Sequence, residues 1–233
     1  IESIGSSTRI EGAKLSDGEV ERLLSRLEIK AFANRDEQEV AGYAEVMELV
    51  FQSHAEIAFT ENHIRQLHRD LLRHSTKDDW HRGSYKTTPN HVVAFDEHGN
   101  QIGIVFATAN PFETPARMAE LVAWVQNAQA ERRLHPLLII AVFVVVFLEI
   151  HPFQDGNGRI GRMMICLMAV QTGLTKLPLL HISSILEKQK DTYIERLFKV
   201  STHGEWAGWL NFFLEVVRQS CISATKAVDQ VIT

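Results

Sequence analysis

Apolar residues recur every three or four positions along most of this chain, which is the spacing of an amphipathic helix. The clearest case runs from Glu37 to about Glu56, where one helical face carries Val40, Ala44, Met47, Val50 and Phe51. The same spacing, together with capping residues at the ends, predicts further helices near 1–11, 16–27, 60–71, 114–129, 136–150, 158–171, 185–200 and 206–231. The chain is therefore expected to be mainly helical.

The helical spacing stops between Trp80 and Pro111. His91–Phe95 and Gln101–Phe106 are rich in the residues typical of strands, and a glycine lies in the stretch between them. This pattern predicts a β-hairpin. The predicted fold class is all-α with one small β-hairpin, in a single compact unit. Within that unit we distinguish an N-terminal helical part, residues 1–60, from a core, residues 61–233.

Composition narrows the class of protein. Of the 233 residues, 45% are hydrophobic and 23% are charged, and the net charge is -5, so bulk charge does not favour nucleic acid as a partner. The longest apolar run, Leu137–Leu148, is shorter than the roughly 20 residues that span a bilayer, so no membrane association is expected. Cys166 and Cys221 are too few for a disulfide framework. A reducing, cytoplasmic location is predicted.

One segment between two predicted helices concentrates reactive groups: residues 151–162, His-Pro-Phe-Gln-Asp-Gly-Asn-Gly-Arg-Ile-Gly-Arg. Its glycine-rich turn opens the next helix, and the free N–H groups and positive dipole at a helix N-terminus form an anion site. Arg159 and Arg162 are three residues apart, so they lie close together on the first turn. Two guanidinium groups beside such a site indicate a polyphosphate rather than one carboxylate.

Asp155 and His151 add a metal ligand and a base. A carboxylate among phosphates is explained by a bridging Mg²⁺ ion, and histidine can take up a proton near neutral pH. An EF-hand loop from Asp155 is excluded because Ile160 stands where glycine is needed. A Walker loop lacks its Gly-Lys-Ser/Thr, and zinc lacks a second ligand at the right spacing. An ordinary turn with His151 as a helix terminator remains an alternative.

The segment resembles the signature of the Fic family, His-x-Phe-x-Asp/Glu-Gly-Asn-Gly-Arg-x-x-Arg. All eight fixed positions match, namely His151, Phe153, Asp155, Gly156, Asn157, Gly158, Arg159 and Arg162. The resemblance implies a Fic-type helical bundle with the β-hairpin as a flap over the active-site loop. It also implies a protein adenylyltransferase that moves AMP from ATP, with Mg²⁺, to a Ser, Thr or Tyr hydroxyl of a target protein bound through the flap.

The resemblance assigns a role to each matched position. His151 would accept the proton of the attacking hydroxyl, and Asp155 would hold Mg²⁺. The α- and β-phosphates would be bound by Gly156, Asn157 and Gly158. Arg159 would also contact the phosphates, Arg162 would hold the γ-phosphate, and Phe153 would anchor the loop in the core. Lys86, near the start of the hairpin, is expected to be a solvated charge rather than a substrate contact.

A second motif near the N-terminus, Ser7-Thr-Arg-Ile-Glu11-Gly12, resembles the inhibitory motif of the family, Ser/Thr-x-x-x-Glu-Gly/Asn. Glu11 would offer Arg162 a carboxylate in place of the γ-phosphate, while Ser7 and Gly12 would position the helix. Residues 1–60 would then include an inhibitory helix, and residues 61–233 would be the Fic catalytic core. The alternative is a surface helix with a solvated glutamate.

Other functions remain open at this point. The same site could transfer another nucleotide or a phosphate, or remove AMP, although the intact Gly-Asn-Gly disfavours phosphate transfer. A non-catalytic, ATP-sensing interaction module is the alternative from another class, and the intact His151 argues against it. Self-modification and oligomerisation stay open. Trp206, Trp209 and Tyr193 are expected in the core, and no role is assigned to His54, His63, His68, His74 and His181.

Overall fold

A computed structural model describes residues 1–27, 32, 34–95, 101–106 and 108–232. These residues form ten α-helices, a short 3-10 helix (Thr76–Asp78) and one pair of strands. The helices are α1 (Glu2–Ile10), α2 (Asp17–Leu24), α3 (Arg35–Ser53), α4 (Glu61–Leu71), α5 (Thr114–Glu131), α6 (Pro136–Ile150), α7 (Asn157–Gln171), α8 (Ser183–Lys188), α9 (Lys190–His203) and α10 (Trp206–Ile232). The strands are β1 (Val92–Phe95) and β2 (Gln101–Phe106).

Side-chain caps fix several helix starts. The capping box predicted before α2 is present, since the Ser16 N–H donates to Glu19 Oε2 at 2.9 Å. Thr60 caps α4 as expected, and Asn34 caps α3, which therefore begins earlier than the apolar spacing indicated. The single helix predicted near 185–200 is wrong, because the backbone leaves helical geometry at Gln189 and separates α8 from α9.

Helix α6 lies at the centre of the core. It packs against α5, α7, α9 and α10, and its residues from Ile139 to Ile150 are almost all buried. Trp209 on α10 is buried as predicted, and its indole N–H donates to the Ala141 carbonyl at 2.9 Å. Tyr193 is also in the core. No described helix is long and apolar enough to cross a membrane.

Helix α1 packs against α8, α3 and α7. Its serine and threonine side chains at positions 6–8 are buried, and Arg9 Nε donates to Glu187 Oε1 at 2.6 Å. Lys190 Nζ donates to the carbonyl of Ile10, the last residue of the helix, at 2.7 Å. The C-terminal end of α1 is thereby held against α8 and α9.

The predicted flap over the active-site loop is wrong. Strands β1 and β2 pair antiparallel with two register irregularities, but β2 lies against α9, and no described hydrogen bond joins either strand to residues 151–158. The reason is that the flanking segments make the contacts expected of the strands: Lys86 N–H donates to Pro152 O at 2.8 Å, and Ala109 N–H donates to Glu149 O at 3.1 Å. Residues 96–100, the expected tip, lie outside the described residues.

Candidate active site

His151 ends helix α6 in a left-handed backbone conformation, with φ 51° and ψ 59°. Its main-chain N–H still donates to Phe147 O at 2.9 Å, and the following proline prevents the helix from continuing. The ring Nδ1 lies 3.1 Å from Leu148 O, so Nδ1 carries the hydrogen and Nε2 is left as an acceptor. Burial lowers the pKa of His151 to about 4, so the ring is neutral at physiological pH.

The loop after His151 is closed by its own side chains. Phe153 is fully buried, as expected for an anchor. Its N–H donates to Asn157 Oδ1 at 2.9 Å, and Asn157 Nδ2 donates back to Phe153 O at 2.7 Å. Asn90 adds a second donor to Phe153 O at 2.6 Å. Both ends of the Asn157 amide therefore hold the loop, which leaves the main-chain N–H of Asn157 for an anion.

The first turn of α7 has free main-chain N–H groups at the place where the sequence predicts an anion site. Gly156 precedes it with φ 80°, and a β-carbon there would lie 3.1 Å from a Leu71 methyl group, so both conformation and space favour glycine. Asn157, Gly158 and Arg159 are the first residues of the helix, and their N–H groups have no acceptor within it.

The Glu11 carboxylate lies over this turn. A β-carbon built on Gly158 would overlap Glu11 Oε1 and would lie 2.9 Å from Cδ. Arg162, whose side chain is 2% exposed, donates from Nη2 to Glu11 Oε1 at 2.7 Å. It also donates from Nε to Ser7 Oγ at 2.9 Å. Gly12 follows Glu11 with φ 108°, which glycine adopts readily. Helix α1 thus presents a carboxylate where the resemblance implies a phosphate.

The electrostatic balance keeps Glu11 ionised. Burial by itself raises the pKa of Glu11, because it disfavours the charged form. The nearby guanidinium groups of Arg162 and Arg159 lower it by more, so the pKa of Glu11 lies below its ordinary value. Glu11 and Arg162 therefore form an ion pair at neutral pH.

Helix α3 brings two further charged residues that the sequence did not single out. Arg159, only 1% exposed, lies 3.1 Å from Glu39 Oε2 through Nη1 and 3.4 Å from Asp155 Oδ1 through Nη2. Arg35 bridges the same two acids: its Nε donates to Glu39 Oε1 at 2.6 Å and its Nη2 donates to Asp155 Oδ2 at 2.8 Å. The four side chains and Glu11 line a cavity of about 260 Å³.

The Asp155 carboxylate fits the magnesium role on its chemistry. Its side chain is 37% exposed at the edge of this cavity, and Oδ1 accepts from the Gly156 N–H at 2.6 Å. Burial raises the pKa of Asp155, but Arg159, the Gly156 N–H and Arg35 lower it by more, so the group is ionised. In the part of the chain described, no three His, Cys, Asp or Glu side chains cluster to hold a metal. A single carboxylate suits Mg²⁺ that is bridged to phosphate oxygens.

The expectation that Lys86 is a solvated charge is wrong. The side chain is buried, and its Nζ donates to Asn90 Oδ1 at 2.8 Å, to Thr108 Oγ1 at 3.0 Å and to Ile150 O at 3.0 Å. Burial lowers the pKa of Lys86 to about 8. Lys86 holds the side-chain amide of Asn90, and this amide donates to Phe153 O in the loop. Lys86 therefore stabilises the active-site loop indirectly. Its polar sequence neighbours gave no sign of this.

His68, to which the sequence assigned no role, also contacts the loop. It is fully buried on α4, and its Nε2 lies 2.9 Å from Asp155 O. Burial lowers the pKa of His68 to about 3. The only signal in the sequence was its place on the apolar face of the helix, between Leu67 and Leu71.

Comparisons with known proteins cover the segment that contains this site. The sequence model of the Fic/DOC family matches residues 58–169. A probable protein adenylyltransferase of Aquifex aeolicus is 26% identical over 143 residues, which are 55% of this chain and 44% of that protein. The chain thus spans less than half the length of this curated relative.

Two solved structures share the fold. A Fic domain containing signaling protein from Bacteroides thetaiotaomicron is 26% identical with a TM-score of 0.76, over 98% of this chain and 86% of that chain. A Fic family protein from Desulfovibrio desulfuricans has a TM-score of 0.79 at 22% identity, over 97% of this chain and 64% of that chain. The helical architecture described above is therefore an established one.

Proposed function

Because residues 58–169 belong to the Fic/DOC family, we propose that this chain transfers AMP from ATP to a Ser, Thr or Tyr hydroxyl of a target protein. The observation that carries the proposal is the carboxylate of Glu11 on the first turn of α7, paired with Arg162. An anion-binding helix end and a buried arginine beside a neutral imidazole suit a triphosphate and a hydroxyl. The similarity to the probable protein adenylyltransferase of Aquifex aeolicus supports the same proposal.

In the proposed complex the triphosphate takes the place of the Glu11 carboxylate. The N–H groups of Asn157 and Gly158 would donate to the α- and β-phosphates, and Arg159 and Arg162 would offset the charge toward the γ-phosphate. Mg²⁺ bound to Asp155 and phosphate oxygens would supply further charge neutralisation. The helix dipole and the fixed arginines act without reorganising, which is how such sites stabilise a transition state.

His151 would act as the base. Its Nε2 would accept the proton as the hydroxyl oxygen attacks the α-phosphorus, a new P–O bond forms, and the bond to the β-phosphate breaks to release pyrophosphate. The Nδ1–H bond to Leu148 O fixes the tautomer that leaves Nε2 free. Most of the rate enhancement would come from holding the two reactants in line.

We propose that the structure represents an inhibited state. ATP cannot use Arg162 fully while Glu11 occupies its Nη2, and the two carboxylate oxygens would repel a γ-phosphate. Ser7 and Gly12 would keep the glutamate in place. The compartment proposed is the cytoplasm, which supplies ATP and keeps two unpaired thiols reduced.

The test is label transfer by the Glu11→Gly variant. We expect label from α-labelled ATP on an acceptor, with self-modification checked by mass spectrometry. The control is the double variant that also carries His151→Asn, since asparagine tolerates the left-handed backbone at this position. Label from γ-labelled ATP would indicate phosphate transfer instead. ATP binding with no transfer of label would favour the sensing module and would contradict the proposal.

A further inference from the structure

The ring of His68 has a main-chain partner at each nitrogen. The Gly83 N–H donates to Nδ1 at 2.9 Å. A ring nitrogen that accepts a hydrogen bond carries no hydrogen, so the neutral ring must be protonated at Nε2. Nε2 lies 2.9 Å from the Asp155 carbonyl oxygen, which can only accept. The tautomer of His68 is therefore fixed from both sides, and Nε2–H is a donor to the active-site loop.

The face of the ring follows the same loop. His68 stacks on Phe153 with a centroid separation of 3.8 Å and an interplanar angle of 6°. A β-carbon on Gly156 would lie 3.5 Å from His68 Cδ2 and 3.6 Å from Nε2. One buried side chain on helix α4 thus contacts the loop at residues 153 and 155 and would be in van der Waals contact with a β-carbon at residue 156.

The hydrogen bond to Asp155 orients the peptide that joins Asp155 to Gly156. In a trans peptide the C=O and the following N–H point in opposite directions. With the carbonyl directed at His68, the Gly156 N–H is directed at Asp155 Oδ1, where it donates at 2.6 Å. The orientation of this one peptide plane therefore determines the position of the Asp155 carboxylate and the left-handed conformation of Gly156 before α7. The hydrogen bond from His68 fixes that orientation.

We propose that His68 is a positioning residue of the nucleotide site, which acts through its Nε2–H bond to the Asp155 carbonyl. It touches neither nucleotide nor metal. It holds the Asp155 carboxylate and the start of α7 in the geometry that Mg²⁺ and the phosphates require. The proposal rests on the proposed function for its effect on catalysis, although the orientation of the loop can be measured without nucleotide.

A matched pair of variants separates the two nitrogens. In His68→Gln the side-chain amide NH₂ replaces the donor at Nε2 and the acceptor for Gly83 is lost. In His68→Asn the side-chain oxygen replaces the acceptor at Nδ1 and the donor to Asp155 is lost. Both variants lose the stacking on Phe153, so the difference between them reports on which of the two hydrogen bonds is kept.

Amide hydrogen exchange of the full chain, followed by mass spectrometry, is the first readout. We expect His68→Asn to exchange faster in residues 153–158 and His68→Gln to exchange faster around Gly83. Nitrogen NMR of the histidine side chains tests the tautomer, because the proposal requires a protonated Nε2. Equal acceleration at 153–158 in both variants, or a protonated Nδ1, would overturn the proposal.

Catalysis is the second readout, measured as AMP transfer in the Glu11→Gly background. We expect His68→Asn to need about tenfold more Mg²⁺ for half-maximal rate, as is typical when a residue behind a metal ligand is lost. His68→Gln should stay near the parent. Losses that merely follow the melting temperatures of the two variants would overturn the proposal. If the parent transfers no AMP, the proposed function fails, and the exchange comparison still decides whether His68 holds the loop.

Discussion

Replacing Glu11 with glutamine is expected to tighten the binding of ATP. If the proposed function holds, an incoming γ-phosphate would have to displace a carboxylate whose Oε1 accepts from Arg162 Nη2 at 2.7 Å. Glutamine keeps the length and shape of the side chain but removes its charge. The competition for Arg162 is then between a phosphate and a neutral amide, and the repulsion between the two anions is gone.

The size of the effect follows from the geometry of the pair. A hydrogen bond between charged groups contributes about 1.5 to 3 kcal/mol. Arg162 is 2% exposed, but the Glu11 side chain is 33% exposed, so water weakens the pair and the lower part of that range applies. About 1.5 to 2 kcal/mol corresponds to about 10- to 30-fold in the dissociation constant of ATP.

Titration calorimetry with Mg²⁺ and ATP measures this change. Glu2→Gln is the matched control, because Glu2 lies exposed at the start of the same helix and the substitution removes the same charge. An equal gain in affinity for both variants would mean that net charge, rather than the contact with Arg162, sets the effect. No gain for Glu11→Gln would refute the competition between the carboxylate and the phosphate.

Three further predictions concern stability. Glu39→Gln removes the charge nearest to buried Arg159 Nη1, so we expect the free energy of unfolding to fall by about 2 kcal/mol in urea titrations, and an unchanged midpoint would contradict the pairing. Burial lowers the pKa of His68 to about 3 and that of His151 to about 4, while unfolded histidine has about 6.5. The unfolded chain therefore binds protons that the native one does not, and stability should fall by about 2 kcal/mol per histidine between pH 7.5 and 5; a flat profile would refute the burial argument. Lys86→Met removes a donor to three acceptors, and we expect the melting temperature to fall by about 4 °C or more; an unchanged value would argue against those bonds.

The parts of the site that are local in sequence could be predicted. Residues 151–162 contain the end of one helix, the turn and the start of the next, so the anion-binding N-terminus follows from glycine and arginine spacing alone. The capping box at Ser16, the cap at Thr60 and the proline in the first turn of α6, Pro136, act over three or four residues, and they too can be recognised from the sequence.

The parts that depend on tertiary packing could not be predicted. Arg35 reaches Asp155 from 120 residues away, and nothing in its neighbourhood distinguishes it from a solvated arginine. His68 was visible only as one residue of an apolar face. Strand-forming residues identified β1 and β2 correctly, but strand propensity says nothing about what a strand packs on, so the flap was placed over the wrong partner.

The way in which α1 is attached limits how the proposed inhibition can be relieved. Ser6, Ser7 and Thr8 of this helix are buried, and its last turn is tied to α8 and α9 through Arg9 and Lys190. If this helix moved away, its packing against the neighbouring helices would be lost. A rotation about the side-chain bonds of Glu11 would instead leave every other α1 contact in place. A truncation of the first dozen residues would therefore test folding rather than regulation. An activator would need to bind only the Glu11 carboxylate.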